Sequence, residues 1–344
     1  MKSALIALLF FATAASATPP GGDPDYLAGL SPYQPKQSVS GTIRVWGNPY
    51  IPELVKAWED GFRKHHPGVE FHTDLKGTEA AMAGLYGNIA DVVLVGREAY
   101  KAETAAFEER FGYPPTGIRI TSGSYATPHK TFALMVYVHK DNPLAKLTFK
   151  QLDALYGSER RRGMKGPIKT WGQLGLKGEW ADRPVHVYGY NFDTGMARFF
   201  RLTVLKDSYR WNPEMKEFNN GRDAKGEVIN AGTYITQAVA GDPNGIGLSN
   251  VMFENPDVKA VALAENDSSP YAAPSKESAF RRDYPLTRYS MAFINRAPGM
   301  PVDPKVAEFM RYILSKDGME AIVRDQSFLP LNATVIREER RKLD

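Results

Sequence analysis

Between Gly41 and Gly96 the chain alternates short strands with amphipathic helices, and this alternation restricts the possible folds more than any other stretch. "GTIRVWG" has the period of a strand. "IPELVKAWEDGFRKHHP" sets Leu54, Val55, Trp58 and Phe62 at helical spacing before Pro67 stops the helix. "VEFHTDLKG" is a second strand, "TEAAMAGLYGN" a second helix, and "ADVVLVG" a third strand with a continuous apolar run. Strand, helix, strand in this order predicts parallel βαβ units. Their loops gather at the carboxyl ends of the strands, where open α/β sheets bind ligands.

The rest of the chain continues the pattern less regularly. "FALMVYVHK" is a long, almost wholly apolar strand placed to pass between domains, and "LTFKQLDALYG" is a helix with Thr148 as its N-cap. "RPVHVYGY" is a strand, "TYITQAVAGDPNGIGLSNV" a helix, turn and strand, and "VKAVALA" a single further strand. "YPLTRYSMAFIN" returns to strand. The last helices carry Val306, Phe309, Met310, Ile313 and Leu314 on an apolar stripe.

Lys2, the apolar run Ala4–Ala12 and the small residues Ala15-Ser16-Ala17 read as a secretory signal peptide over residues 1–17. The run is far shorter than the roughly 20 residues of a membrane span, so the expected mature protein is exported to the periplasm and not membrane-inserted. About 327 residues then remain, above the size at which one core stops growing, so two domains are expected. The absence of cysteine removes disulfides, thiolate chemistry and a lipid-anchored N-terminus. A formal net charge of +4 is too small a surplus for a nucleic-acid binder and suits a small anionic ligand. Residues 18–40, rich in Pro, Gly and Ser, read as a flexible arm.

Three strand-to-helix junctions carry a Gly beside a hydroxyl or amide: "WGNPYIPEL", "LKGTEAAM" and "YNFDTGMARFF". A helix start presents unpaired N–H groups and a partial positive charge, which favours an oxyanion, although an ordinary cap has the same look. Asp193-Thr194-Gly195 also matches half of an aspartic-protease site. That chemistry needs two carboxylates sharing a proton, and this is the one such triplet in the chain. His65, His66 and His72 read as surface residues rather than metal ligands, Arg160 to Arg162 as an exposed loop, and no cofactor is expected.

"GIGLSNV", "YPLTRYSMAFIN", "FMRYILSKDGMEAIV" and "FLPL", with "NPLAKLTFKQLDALYG" and "ITQAVAGDPNGIG" upstream, resemble the phosphate-binding proteins of ABC transporters from about Gly41 to Leu331. Tyr284-Pro285-Leu286-Thr287-Arg288 and Leu314-Ser315-Lys316-Asp317-Gly318 match two family patterns that are mostly scaffold. The resemblance implies an α/β fold of two lobes, the periplasmic-binding-protein clamshell, each lobe a mixed, mostly parallel sheet flanked by helices. It divides the chain into lobe 1 (41–126 with 283–334), lobe 2 (127–282) and a charged tail (335–344). It also implies a monomer that catalyses nothing and delivers phosphate or a related small oxyanion to an inner-membrane permease.

Carried over residue by residue, the family's ligand contacts fall on Asn48 and Tyr50 in the first loop, Gly77 and Thr78 in the second, and Arg97 in the third, where Gly96-Arg97 lacks the family's Asp. The last loop gives Tyr190 in place of an Arg, then Asp193, Thr194 and Gly195 in the family's Ser-Gly-Thr region. A carboxylate about 4 Å from a fully ionised oxyanion is repelled by roughly 4 kcal/mol at an effective dielectric near 20. A protonated phosphate oxygen instead donates to it. Asp193 is therefore expected either to accept that proton or only to cap its helix. Arg97, Arg198 and Lys76 are the basic residues available to offset the lost Arg. The alternatives are the same fold with another anion, a sensor or interaction protein without a transported ligand, and a hydrolase using Asp193.

Overall fold

The computed structural model describes residues 25–128 and 130–344, so the signal-peptide reading and the first part of the arm lie outside the described residues. In chain order the first half runs β1 (Gly41–Gly47), α1 (Pro52–Arg63), β2 (Val69–Asp74), α2 (Thr78–Tyr86), β3 (Val92–Val95), α3 (Lys101–Phe111) and β4 (Thr116–Thr121). Next come β5 (Met135–His139), β6 (Lys146–Thr148), α4 (Phe149–Tyr156), β7 (His186–Tyr190) and α5 (Gly195–Thr203). The strands β8 (Lys216–Phe218), β9 (Gly221–Arg222) and β10 (Val228–Ile229) precede α6 (Ala231–Ala240) and β11 (Gly245–Ser249). The chain ends with β12 (Val258–Ala260), β13 (Ala262–Ala264), α7 (Lys276–Arg281), β14 (Ser290–Ile294), α8 (Pro304–Ile313), α9 (Lys316–Asp325) and α10 (Ala333–Arg340).

Two five-stranded sheets result, each with its own core. The first has the order β2-β1-β3-β14-β4, with β1 parallel to β2 and β3, and β14 antiparallel between β3 and β4. The second has the order β12-β5-β11-β7-β8, with β7 parallel to β11 and β8, and β5 antiparallel to β11 and β12. The predicted face of α1 is the one that packs: Leu54, Val55, Trp58 and Phe62 are buried against the first sheet, and the Trp58 indole donates to the Gly318 carbonyl at 2.9 Å.

Residues 122–134 leave the first sheet for the second, and residues 282–289 return. The two crossings are tied together: Leu134 N donates to Leu286 O at 3.1 Å, and Arg282 donates to the carbonyls of Thr287 and Arg288 at 2.8 and 3.1 Å. Burial brings the Arg282 guanidinium down to about 10, an effect that the neighbouring Tyr289 partly opposes. Gly123 sits where the crossings meet. Its φ is +69°, and a Cβ there would stand 2.5 Å from Thr131 O and 2.8 Å from Arg288 O, so only glycine fits without a shift.

Several expectations change. "VKAVALA" is two strands: Val258–Ala260 pairs with β5 and Ala262–Ala264 with β6, partners in different sheets, so the chain bends at Val261. The arm is anchored from Tyr33, whose buried hydroxyl donates to Glu308 Oε2 at 2.6 Å and meets His66 Nε2 at 2.8 Å. His66 is accordingly buried, not at the surface. The tail continues α10, where the fully buried Glu339 pairs with Arg119, and Leu343 is buried in the first core. In the basic loop, Arg162 turns inward to the carbonyls of Thr203 and Val204 at the end of α5, at 2.6 and 2.5 Å.

Candidate functional site

The loops after β1, β2 and β3 meet at one edge of the first sheet, because parallel strands joined by helices bring their carboxyl ends together. Asn48 ties two of them: its Oδ1 accepts from Tyr50 N at 2.8 Å and its Nδ2 donates to Thr78 Oγ1 at 3.3 Å. Gly77, at φ +147°, precedes α2 and donates from its N–H to Gly47 O at 3.1 Å. Neither α1 nor α2 has a side-chain cap, so their first N–H groups depend on something outside the helix. Four of the expected residues, Asn48, Tyr50, Gly77 and Thr78, are thus together.

Lys130, from the outgoing crossing, donates to the Tyr50 carbonyl, and Thr131 Oγ1 donates to Gly96 O at 3.0 Å. Between these groups lies a cavity of about 20 Å³ bordered by Asn48, Thr121, Lys130 and Ser290. That is room for one water, and a tetrahedral oxyanion needs more.

Arg97 is close by but committed. Its guanidinium donates two bonds to Glu103, at 2.7 and 2.8 Å, and one to the Glu98 carbonyl at 3.0 Å. Glu103 also accepts from Tyr100 N at 2.7 Å, as part of the start of α3. Arg97 therefore organises the loop after β3 instead of presenting an open fork.

On the second sheet, Thr194 is the cap of α5: its Oγ1 accepts from Ala197 N at 3.2 Å and donates to Asn191 O at 2.9 Å. Asp193 does not cap. It is exposed, its N–H goes to Asn191 Oδ1 at 3.1 Å, and its carboxylate has no hydrogen-bond partner among the described residues. Gly195 is exposed and uncrowded. Tyr190 departs most from expectation. It is 1% exposed and packed in the second core, and a Cβ on Gly232 would stand 2.8 Å from its hydroxyl. Burial raises that phenol well above its usual range. Tyr190 is the last residue of β7, and its side chain packs into the second core.

The contact between the two halves is made by residues outside the expected set, together with Arg198. From the first turn of α5, Arg198 donates to Ala99 O at 2.8 Å and Glu98 O at 3.3 Å. The Tyr100 ring lies between two guanidiniums, with Arg97 3.7 Å and Arg198 4.2 Å from its centroid. Lys101 pairs with Asp207 at 2.5 Å just beyond. The loop 96–100 also touches the first turn of α2, through Arg97 and Glu79 at 3.4 Å. The helix starts at Thr78 and Thr194 therefore flank one loop. Lys76, by contrast, is exposed and pairs with Asp74 at 2.8 Å.

Arg288, on the returning crossing, is 7% exposed, and its guanidinium has no hydrogen bond or ion pair among the described residues. It lies 5.1 Å from the Phe199 ring of α5. Burial pushes it below its usual value, and Glu98, Arg198, Tyr100 and Tyr190 are the groups whose charge acts on it. Arg198 is lowered for the same reason, with Glu98 the largest opposing influence. A signal for Arg198 exists in the sequence, four residues after the capping Thr194 on the helix start. Arg288 carries no such signal, since its motif reads as scaffold.

Residues 33–317 match the PBP superfamily domain. The phosphate-binding protein PstS of Pseudomonas aeruginosa is 32% identical over 315 residues, covering 91% of this chain and 90% of that protein. Protein SphX of Synechococcus elongatus is 22% identical over 309 residues, covering 88% and 82%. Among solved structures, PstS from Borrelia burgdorferi aligns with a TM-score of 0.54 at 14% identity, covering 86% of this chain and all of that one. An ABC-type phosphate transport receptor from Vibrio cholerae aligns with 0.51 at 17%, covering 84% and all of that one. At these identities the two structures support the two-lobed fold.

Proposed function

The chain belongs to the PBP superfamily, and on that premise we propose that it is a periplasmic solute-binding protein. It captures phosphate or a related small oxyanion between its lobes and delivers it to an inner-membrane ABC transporter permease. The observation that carries this reading is the 32% identity with a phosphate-binding protein over about nine tenths of both chains. The uncapped start of α2, which meets the loop 96–100 through Glu79 and Arg97, with α5 on the loop's other side, gives it a physical basis. The relatives are binding proteins, and the mechanism is binding. Anion contacts from both lobes are complete only when the lobes meet, so the anion shifts the population toward the closed arrangement. Lobe 1 is taken as 41–126 with 283–334, lobe 2 as 127–282, and the protein as a monomer.

A second reading, another anion in the same fold, is favoured by the burial of Tyr190 at the position of the family's Arg. Calorimetric titration of ligand-stripped mature protein with phosphate, sulfate and molybdate separates the two. A micromolar phosphate constant, about 8 kcal/mol of binding free energy, is expected. Heat with molybdate or sulfate but not phosphate selects the second reading. No heat with any of the three overturns both.

A further inference from the structure

We infer that the oxyanion is held by Arg288 from the returning crossing together with Arg198 from α5, and that the Glu98 carboxylate is an internal counter-anion which the ligand displaces. This rests on the solute-binding reading and assigns its charge-bearing contacts. A guanidinium has five donors and stays charged, so burying one without an acceptor is costly unless something supplies the acceptor. Arg288 is 93% buried, and among the described residues its Nε has no partner, with their carbonyls, carboxylates and hydroxyls all beyond hydrogen-bond reach of that atom. Its neighbour Arg282 uses its donors on two carbonyls, so the same crossing satisfies one arginine and leaves the next for another purpose.

The nearby charges do not balance. Arg97 is neutralised by Glu103. Glu79, 3.4 Å from Arg97, is exposed, so among the more buried groups Arg198 and Arg288 have Glu98 as their one nearby carboxylate, a surplus of one positive charge there. Glu98 is also poorly held: its Oε2 is buried without a hydrogen bond and lies 3.8 Å from Arg198. A carboxylate held this loosely beside two guanidiniums is suited to give way to a better anion. An oxyanion bound there would touch residues from the loop after β3, from α5 and from the crossing, the three parts that must stay together when the lobes meet. Arg288 then supplies the bidentate partner missing at Tyr190, from a different element.

The test uses the full mature chain, inorganic phosphate as probe, and calorimetry with thermal melts. Arg288→Met is expected to weaken phosphate binding about a hundredfold or more. Its ligand-free melting temperature should be equal to or above wild type, because a buried unpaired charge is gone. Arg288→Lys is expected to recover part of the affinity. Glu98→Gln is expected to tighten phosphate by about tenfold, since a carboxylate that repels the anion is neutralised. Unchanged affinity in Arg288→Met, or weaker binding in Glu98→Gln, overturns this assignment while the solute-binding reading stands. If Arg288→Met fails to fold, Arg288→Lys and Glu98→Gln still decide, and wild-type affinity in both overturns it. A wild type that binds none of phosphate, sulfate and molybdate overturns both readings.

Discussion

Replacing Gly123 by alanine perturbs the junction of the two crossings at a single methyl group. A left-handed backbone costs an alanine about 1–2 kcal/mol. The methyl would also stand 2.5 Å from Thr131 O and 2.8 Å from Arg288 O, and both are backbone atoms that cannot rotate away. Overpacking of this kind adds about 1–3 kcal/mol, giving about 2–5 kcal/mol in total. Gly163→Ala is the matched control: φ there is +89° and nothing lies within 4 Å of the added Cβ, so backbone strain alone remains. Urea unfolding of both variants, followed by tryptophan fluorescence, gives the crowding contribution as their difference. Phosphate titration of Gly123→Ala should also show weaker binding, because the displaced Arg288 carbonyl belongs to the residue assigned to the anion. Equal destabilisation in the two variants would refute the claim that the crossings are in tight contact at Gly123.

Tyr33→Phe removes a donor from a fully buried carboxylate and leaves Glu308 with Arg311 and the Lys36 N–H; a loss of about 1.5–3 kcal/mol is expected in urea unfolding, and a change below about 0.5 kcal/mol speaks against an anchored arm. Burial acts to raise Asp242, but bonds from His186, Tyr188 and Asn244 N outweigh it and hold the carboxyl below its usual range. Its contribution to stability is therefore full above the unfolded value, about 4, and is lost as pH falls through the lower folded value. Asp242→Asn should flatten that acid decline in urea midpoints measured from neutral pH downward, and an unaltered decline rejects the assignment. Tyr100→Leu removes the ring between two guanidiniums, with an expected cost of about 0.5–2 kcal/mol that appears as weaker phosphate binding; an unchanged constant means the stack does not join the lobes.

The elements from β1 to β3 were legible because each has one buried stripe or one apolar run, and periodicity reports both. Helix α3 was not, since Phe107 is its one buried residue and leaves no stripe to read. The bend at Val261 was hidden because "VKAVALA" is apolar without a break from Ala260 to Ala264, and only the choice of partner strand divides it. At the site, the loops carrying Asn48, Gly77 and Thr78 could be read from Gly and hydroxyl residues at helix starts. The charges could not. Whether an arginine is open or committed depends on how the chain folds around it, as Arg97 held by Glu103 and Arg288 without a partner among the described residues show. Asp193 and Thr194 are adjacent and both good caps, and local sequence does not say which one turns toward the helix.

The position of β14 has a consequence for how the molecule is made. It lies between β3 and β4, yet it is contributed by residues 290–294, after the whole second sheet has passed. A chain emerging from its amino end carries β3 and β4 with bare edges until those residues arrive, whereas every strand of the second sheet is present by Ala260. The inserted half can thus be finished while the half that encloses it waits, and the waiting edges are the ones a chaperone, a protease or a neighbouring chain would meet first.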